Sequence, residues 1–282
     1  MSQAPVPSLK AGLYIVATPI GNLGDVTRRA LDTLRGAAAV ACEDTRVTGR
    51  LLSHFGIKQL LIRYDDHSDQ RARDKVLDLA ETEPVVLVSD AGTPLVSDPG
   101  YRLVRAARER GIAVTSVPGP CAAIVALTLA GLPTDRFLFA GFLPPKDKAR
   151  RAVIQELSAL RATLVFYESG PRLTASLATI AEMLPGREAA VARELTKLYE
   201  ECRSGAPAEL AAHYAAHPPK GEIVLLVGPP QAEPAALDAA AIDALLIVAL
   251  KTAKPSRAAA DVARAHGLDR KALYSRALEL RR

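Results

Sequence analysis

Four short apolar runs within the first 120 residues each stop at a cluster of proline, glycine or charge. Leu13-Tyr14-Ile15-Val16-Ala17 ends at Thr18-Pro19-Ile20-Gly21-Asn22, and the run 37–42 closes on Cys42 before Glu43-Asp44-Thr45-Arg46. Val85-Val86-Leu87-Val88 gives way to the loop 89–100, and Ala113-Val114-Thr115-Ser116 to Val117-Pro118-Gly119-Pro120. Uninterrupted apolar runs this short read as strands covered on both faces. Between them, apolar residues recur at helical spacing over 25–34, 68–79 and 101–110. Strand and helix in alternation predict an α/β layer around a mostly parallel sheet. Ligands of such sheets sit beyond the carboxyl ends of the strands, so the four stops are where function is sought.

Each stop has its own chemistry. Pro19 and Gly21 give a rigid turn that lets a ligand approach the backbone, or an ordinary strand-to-helix turn. Glu43, Asp44 and Arg46 read either as a site or as a helix N-terminus with acids in its first turn. The loop Ser89-Asp90-Ala91-Gly92-Thr93-Pro94-Leu95-Val96-Ser97-Asp98-Pro99-Gly100 is dense in turn formers, small hydroxyls and carboxylates, and is read as a ligand loop. After Pro118-Gly119-Pro120, the small residues Cys121, Ala122 and Ala123 open a helix whose free N–H groups a ligand can reach.

Beyond the linker Gly131-Leu132-Pro133-Thr134-Asp135, apolar runs at 137–140, 164–167, 189–192 and 223–227 predict a second α/β unit. Gly228-Pro229-Pro230-Gln231-Ala232-Glu233-Pro234 carries three prolines and can continue neither element type. The expected organisation is an α/β domain over 1–130, a second over 131–230 and a helical module over 235–282. The run 245–250 is too short to cross a bilayer and reads as a buried helix. In the module, an alanine-rich helix over 256–264 with Ser256 as N-cap is followed by the turn Gly267-Leu268-Asp269. A basic helix over 270–280 comes next, and Arg270, Lys271, Arg276, Arg281 and Arg282 lie in it or just after it. This is the pattern of a helix-turn-helix, with a helical hairpin carrying a solvated basic face as the alternative.

Composition removes other classes. Aromatics are 4% and tryptophan is absent, so alanine, leucine and valine must fill the core. Cys42, Cys121 and Cys202 are too few and too scattered for a disulfide framework or a zinc site, which suits a reducing cytosol. The start, Met1 to Lys10, has no apolar stretch of signal-peptide type, so a soluble, cytoplasmic protein is expected. A formal charge of +5 is a weak pointer to a polyanionic partner. Gly-x-Gly-x-x-Gly, the P-loop, His-Glu-x-x-His and Gly-x-Ser-x-Gly are all missing. His54, His67, His213, His217 and His266 show no metal spacing and read as surface or satisfied core residues.

The motifs at the four stops, together with Phe166-Tyr167-Glu168-Ser169, Arg193-Glu194-Leu195-Thr196-Lys197 and Gly221-Glu222-Ile223-Val224, occur in one order along nearly the whole chain. That ordered set resembles the tetrapyrrole methylase superfamily, the class III S-adenosylmethionine fold, and within it the small-subunit ribosomal RNA methyltransferases. The resemblance implies two α/β domains with the cofactor, S-adenosylmethionine, in the cleft between them, a homodimer, and no metal. It implies methylation of a cytidine ribose 2′-hydroxyl in the decoding region of 16S rRNA, as free rRNA or in the assembled small ribosomal subunit. Pro19 matches the first cofactor loop, and Ala91, Gly92, Thr93 and Val96 the second. Thr93 stands where the superfamily usually has the acid of Gly-Asp-Pro, and Asp90 is placed to supply a charge instead. Cys121 and Ala122 match the small pair after the Pro-Gly turn, Tyr167 the border of the adenosine pocket, and Glu222 with 193–197 the rest of the cleft. Tyr64-Asp65-Asp66-His67 departs from the family pattern and is assigned nothing.

A ribose hydroxyl is a poor nucleophile, so a general base and close alignment with the methyl carbon are expected. Glu43, Asp44, Glu194 and Lys197 are the candidates, each equally able to serve in a structural salt bridge. The helical module is read as gripping RNA, and Arg46, Arg270, Lys271 and Arg276 are assigned to RNA phosphates. The rival readings are methylation of a porphyrin or corrin ring on the same fold, and a DNA-binding regulator with the body as ligand sensor.

Overall fold

The computed structural model describes residues 8–65, 70–230, 239–266 and 268–281. The chain divides into two compact units, 1–230 and 231–282.

The first half of the large unit runs β1 (Gly12–Val16), α1 (Arg28–Gly36), β2 (Ala39–Cys42), α2 (Thr45–His54), β3 (Leu60–Arg63), α3 (Gln70–Thr82), β4 (Pro84–Leu87), α4 (Tyr101–Glu109), β5 (Val114–Val117) and α5 (Ala122–Leu129). Its five strands are all parallel, in the order β3-β2-β4-β1-β5. Alternate side chains go to opposite faces. Val85 and Leu87 enter one core with Leu77 and Leu103 of α3 and α4, while Val86 and Val88 enter another with Leu34 and Leu52 of α1 and α2. Burial on both faces is why β2 and β4 are apolar throughout. The edge strands β3 and β5 expose Arg63, Thr115 and Ser116, so the expectation that the run 113–116 is covered on both faces does not hold. Thr27 caps α1 by accepting the Ala30 N–H at 3.1 Å, and Asp44 caps α2 by accepting the Arg46 N–H at 2.8 Å.

The second half contains β6 (Phe137–Phe142), α6 (Asp147–Leu157), β7 (Thr163–Ser169), α7 (Gly170–Met183), β8 (Ala189–Arg193), β9 (Glu201–Gly205), α8 (Pro207–Ala216) and β10 (Glu222–Val227). Its order is β6-β7-β10-β8-β9, with only β6 and β7 parallel. One face packs on α6, α7 and α8 through Phe166, Leu173 and Leu225. The other face, through Val165, Ala192 and Val224, packs on Ala123, Ala126 and Leu127 of α5. The small residues of α5 therefore join the two sheets into one body.

The small unit is α9 (Ala239–Leu250), α10 (Pro255–His266) and α11 (Arg270–Glu279) around Leu246, Ala259, Val262, Leu273 and Ala277. Two expectations need correction here. The run 245–250 is helical but mostly not buried: Leu246 is enclosed, while Ile247 and Val248 are 46% and 64% exposed. Among the described residues α9 packs mainly on α10 and α11, and a helix so placed buries one stripe, not its circumference. Ser256 lies inside the first turn of α10 rather than at its N-cap, because Pro255 already takes the first helical position. Gly267 and the segment 231–238, which includes Gln231 to Pro234 of the boundary motif, lie outside the described residues, as do Asp66, His67, Ser68 and Arg282. Among the described residues no helix is long and apolar enough to cross a membrane.

Candidate active site

The carboxyl end of the first sheet is held together by its own loops. Thr18, past β1, and Gly92, past β4, form an antiparallel bridge. The Thr18 N–H donates to the Gly92 carbonyl at 2.8 Å and the Gly92 N–H to the Thr18 carbonyl at 3.0 Å. The Thr93 hydroxyl donates to the Pro120 carbonyl at 2.9 Å, which ties in the loop past β5. Asp90 Oδ1 accepts the Asp44 N–H at 3.2 Å, which ties in the loop past β2. Gly92 has φ +79, and a Cβ there would sit 3.3 Å from Ile20 Cγ2. Leu95 and Ser97 are also left-handed, with φ 74 and 63. For residues with a Cβ that conformation costs about 1–2 kcal/mol each, and it survives where the surroundings over-determine it.

The second sheet supplies the opposite wall. Tyr167 comes from β7, Glu222 to Val224 from β10, and Glu194 to Lys197 from the turn after β8. In that turn Glu194 and Thr196 are left-handed, with φ 50 and 63. The turn brings Lys197 Nζ to 3.0 Å from Glu194 Oε1 and 3.5 Å from Glu222 Oε2. Gly21 must be a glycine for this to fit, since a Cβ there would stand 2.5 Å from Lys197 Cγ. Burial works against the Lys197 charge, but Glu194 and Glu222 outweigh it and raise the ammonium above its ordinary range.

Between the two walls lies a cavity of about 230 Å³. Its first-sheet side is Asp90, Ala91, Gly92, Thr93, Val96 and Ala122; its second-sheet side includes Tyr167, Glu194, Lys197 and Glu222. Asp98 also lines it. Burial pushes the Asp98 carboxyl up to about 6 against the pull of the Ser89 hydroxyl, and Glu43, Asp90 and Glu222 add to the rise. The Phe142 ring meets Tyr167 edge-on at 5.6 Å, aided by a register shift in β6 at which Gly141 is left-handed.

Residues 12–211 match the family described as tetrapyrrole (corrin/porphyrin) methylases. The chain belongs to the tetrapyrrole methylase family. Residues 236–281 match a second description, the RsmI C-terminal HTH domain. The methylase is 65% identical to the ribosomal RNA small subunit methyltransferase I of Erythrobacter litoralis, over 97% of this chain and 96% of that one. It is 50% identical to the protein of that name in Mesorhizobium japonicum, over 99% and 96%, and 48% identical to that of Escherichia coli O157:H7, over 95% and 94%. Among solved structures, a Thermus thermophilus uroporphyrin-III C-methyltransferase superposes with TM-score 0.55 at 24% identity, covering 78% of this chain and 94% of the other. A diphthine synthase superposes with TM-score 0.60 at 13% identity, covering 77% and 89%. These two likenesses show the fold.

Not every residue marked in the methylase sequence meets at the cavity. Pro19 stands one position before the lining residue Ile20, and Cys121 one before Ala122. The Cys121 thiol lies beside Tyr167, whose hydroxyl is pushed up by burial first and then by that thiol. Glu43 and Asp44 lie outside the lining. Their motif opens α2, with Asp44 at its N-cap and no acid in its first turn. Asp44 is held by Arg46 at 2.6 Å and well below the usual carboxylate range, while burial and Asp90 push the exposed Glu43 up. In the small unit Arg270 and Lys271 are exposed, whereas Arg276 is paired with Asp243 at 2.6 Å and Glu279 at 2.5 Å.

Sequence reasoning passed over Asp98, Phe142 and Glu168. Asp98 was visible only as the second carboxylate of its loop. Glu168 is buried and accepts from the Ser169 N–H at 2.9 Å and the Ser176 hydroxyl at 2.6 Å, with Arg172 Nε at 3.2 Å. It fastens α7 to β7, which nothing in the pattern announced.

Proposed function

We propose that this methylase transfers a methyl group from S-adenosylmethionine to the ribose 2′-hydroxyl of a cytidine in the decoding region of 16S rRNA, working on the small ribosomal subunit. The observation that carries the reading is the 65% identity, over nearly the whole length of both chains, to a protein named for small-subunit ribosomal RNA methylation. The tetrapyrrole enzymes resemble the chain at 24% identity or less and speak for the fold alone.

The cavity suits the cofactor. Ala91, Gly92 and Ala122 keep its first-sheet side free of bulk, and Ile20, Val96, Leu195 and Val224 offer an apolar seat for a purine. Asp90, Asp98 and Glu222 add negative charge suited to a ligand that carries a sulfonium and an ammonium. S-adenosylmethionine, when bound, supplies an electrophilic methyl group. The chain itself must hold the ribose oxygen in line, keep water out and receive the hydroxyl proton. Asp98 is the group we assign to the proton. At neutral pH a carboxyl near 6 is mostly ionised, yet it is a better base than an ordinary aspartate. Lys197, fixed between Glu194 and Glu222, positions the acids around it. Arg46, Arg270 and Lys271 serve RNA phosphates from exposed positions. Arg276, tied to Asp243 and Glu279, helps build the small unit that presents Arg270 and Lys271. A cytoplasmic homodimer completes the reading.

The test is transfer from radiolabelled S-adenosylmethionine to small subunits from cells lacking the enzyme, with the label mapped by nuclease digestion. Label on one cytidine 2′-oxygen is the expected result. A cofactor-binding protein that labels neither subunits nor naked rRNA would sink the reading and turn attention to porphyrins and corrins.

A further inference from the structure

A second cavity, of about 600 Å³, opens next to the first and shares Glu194 with it. Arg193, Tyr199, His213, His217 and Lys220 supply its flat and cationic surfaces. The His213 and His217 rings, one helical turn apart at the end of α8, stack with centroids 4.8 Å apart and planes 25° from parallel. Burial, then Arg203 and His217, lower the affinity of His213 for a proton, which favours a neutral ring. Across the opening, Leu198 and Tyr199 project from the β8–β9 turn, 87% and 71% exposed. Leaving two large apolar side chains in water at the tip of a strained turn costs hydration and gains nothing within this chain. Lys220 has no carboxylate partner among the described residues. The acids nearby are already matched, Glu201 by Arg193 at 2.5 Å and Arg203 at 3.3 Å, and Glu194 by Lys197.

We infer that this cavity seats an unpaired nucleobase flanking the methylated nucleotide, stacked between Tyr199 and the His213–His217 pair, with a neighbouring phosphate on Lys220. The inference rests on the rRNA reading and adds to it a second point of grip. Single-stranded RNA is held by exposed bases laid on aromatic or imidazole faces and by cations along its backbone. Both kinds of surface are present here, in a cavity that shares Glu194 with the cleft. Glu194 lines both cavities, so a nucleotide in the cleft and a base in the second cavity would lie on either side of one residue.

The experiment uses the full chain and unmodified small subunits, with KM and kcat for transfer from labelled S-adenosylmethionine measured separately. Tyr199→Ala and His217→Ala each raise KM for the subunit about tenfold, the loss expected for one stacked base, while affinity for S-adenosylmethionine stays as in the wild type. Tyr199→Phe restores the wild-type KM, because the ring and not the hydroxyl carries the contact. Lys220→Gln flattens the salt dependence of KM by about one unit of log–log slope. An unchanged KM in the Tyr199→Ala/His217→Ala double variant overturns the inference and leaves the rRNA reading intact. So does a raised KM that sedimentation shows to follow from loss of a dimer, which would give this face to a second copy of the chain. A wild-type protein that binds the cofactor but labels no RNA overturns both.

Discussion

Asp98 owes its chemistry to its company. Glu43, Asp90 and Glu222 face it from three different elements, Tyr167 and Lys197 line the same cavity, and Ser89 pulls against the rise. Since the base must be ionised, kcat/KM is expected to climb tenfold per pH unit below about 6 and level off above it. Asp98→Asn should lower kcat by about 10²–10⁴-fold and abolish that limb, a loss that persists at saturating cofactor. The sign for stability is opposite. A carboxyl whose folded pKa exceeds its unfolded value binds protons more tightly in the native state, so its ionisation weakens the fold as pH rises from about 4 to 6. The asparagine variant should therefore melt above the wild type at pH 7 in a calorimeter, trading turnover for stability. A lower melting temperature together with unaltered turnover would contradict both assignments. Gly221 tests the opposite wall. It has φ +86, and a Cβ there would run into the Glu194 carboxyl. Gly221→Ala should cost about 1–2 kcal/mol in urea unfolding and displace Glu194 from Lys197.

At the level of elements, one buried acid adds a polar tie between α7 and β7 to the apolar packing of Leu173, Leu177 and Ile180. Glu168→Ala would leave Arg172 and Ser176 facing each other without their shared partner. The expected loss is about 3 kcal/mol, read as a shift of the urea midpoint with the slope unchanged. The strands β1, β2 and β4 were legible because enclosure on both faces forces an apolar run and a loop must then stop it. The edge strand β5, with Thr115 and Ser116 exposed, was marked instead by its stop at Pro118-Gly119-Pro120. Their neighbours β3 and β9 gave no such signal. Both are edge strands, and β9, Glu201-Cys202-Arg203-Ser204-Gly205, has no fully buried side chain to leave a pattern. The antiparallel pairings of the second sheet were hidden for a related reason, since a core strand reads the same whichever way its partner runs. Most of the cavity could be read from its loops, because turn formers crowd where backbone must reach a ligand. Asp98 and Phe142 escaped because only the fold brings them to the cavity, one through two left-handed residues and the other through a register shift. The exposed Ile247–Val248 face of α9 shows the limit of reading burial from apolarity, which reports what a helix offers but not how many neighbours accept it.

For the whole molecule, residues 1–230 form a compact unit that holds the entire cavity. A chain ending at Pro230 should fold, bind S-adenosylmethionine with unchanged affinity by calorimetry, and lose affinity for small subunits. The salt dependence of what binding remains should be shallower by roughly one unit for each phosphate contact removed with Arg270 and Lys271. If the shortened protein gripped subunits as the full chain does, the small unit would have some other purpose. The large unit also carries a constraint on how it is made. The face that α5 turns toward the second sheet is covered by β7, β8 and β10, and β10 is the last strand of the unit to be translated. While the ribosome is still adding 137–227, a growing chain therefore displays an apolar helix that has no surface to rest on. Nascent chains halted in that interval are the ones expected to recruit chaperones or to clump, and full-length chains released past Val227 are not.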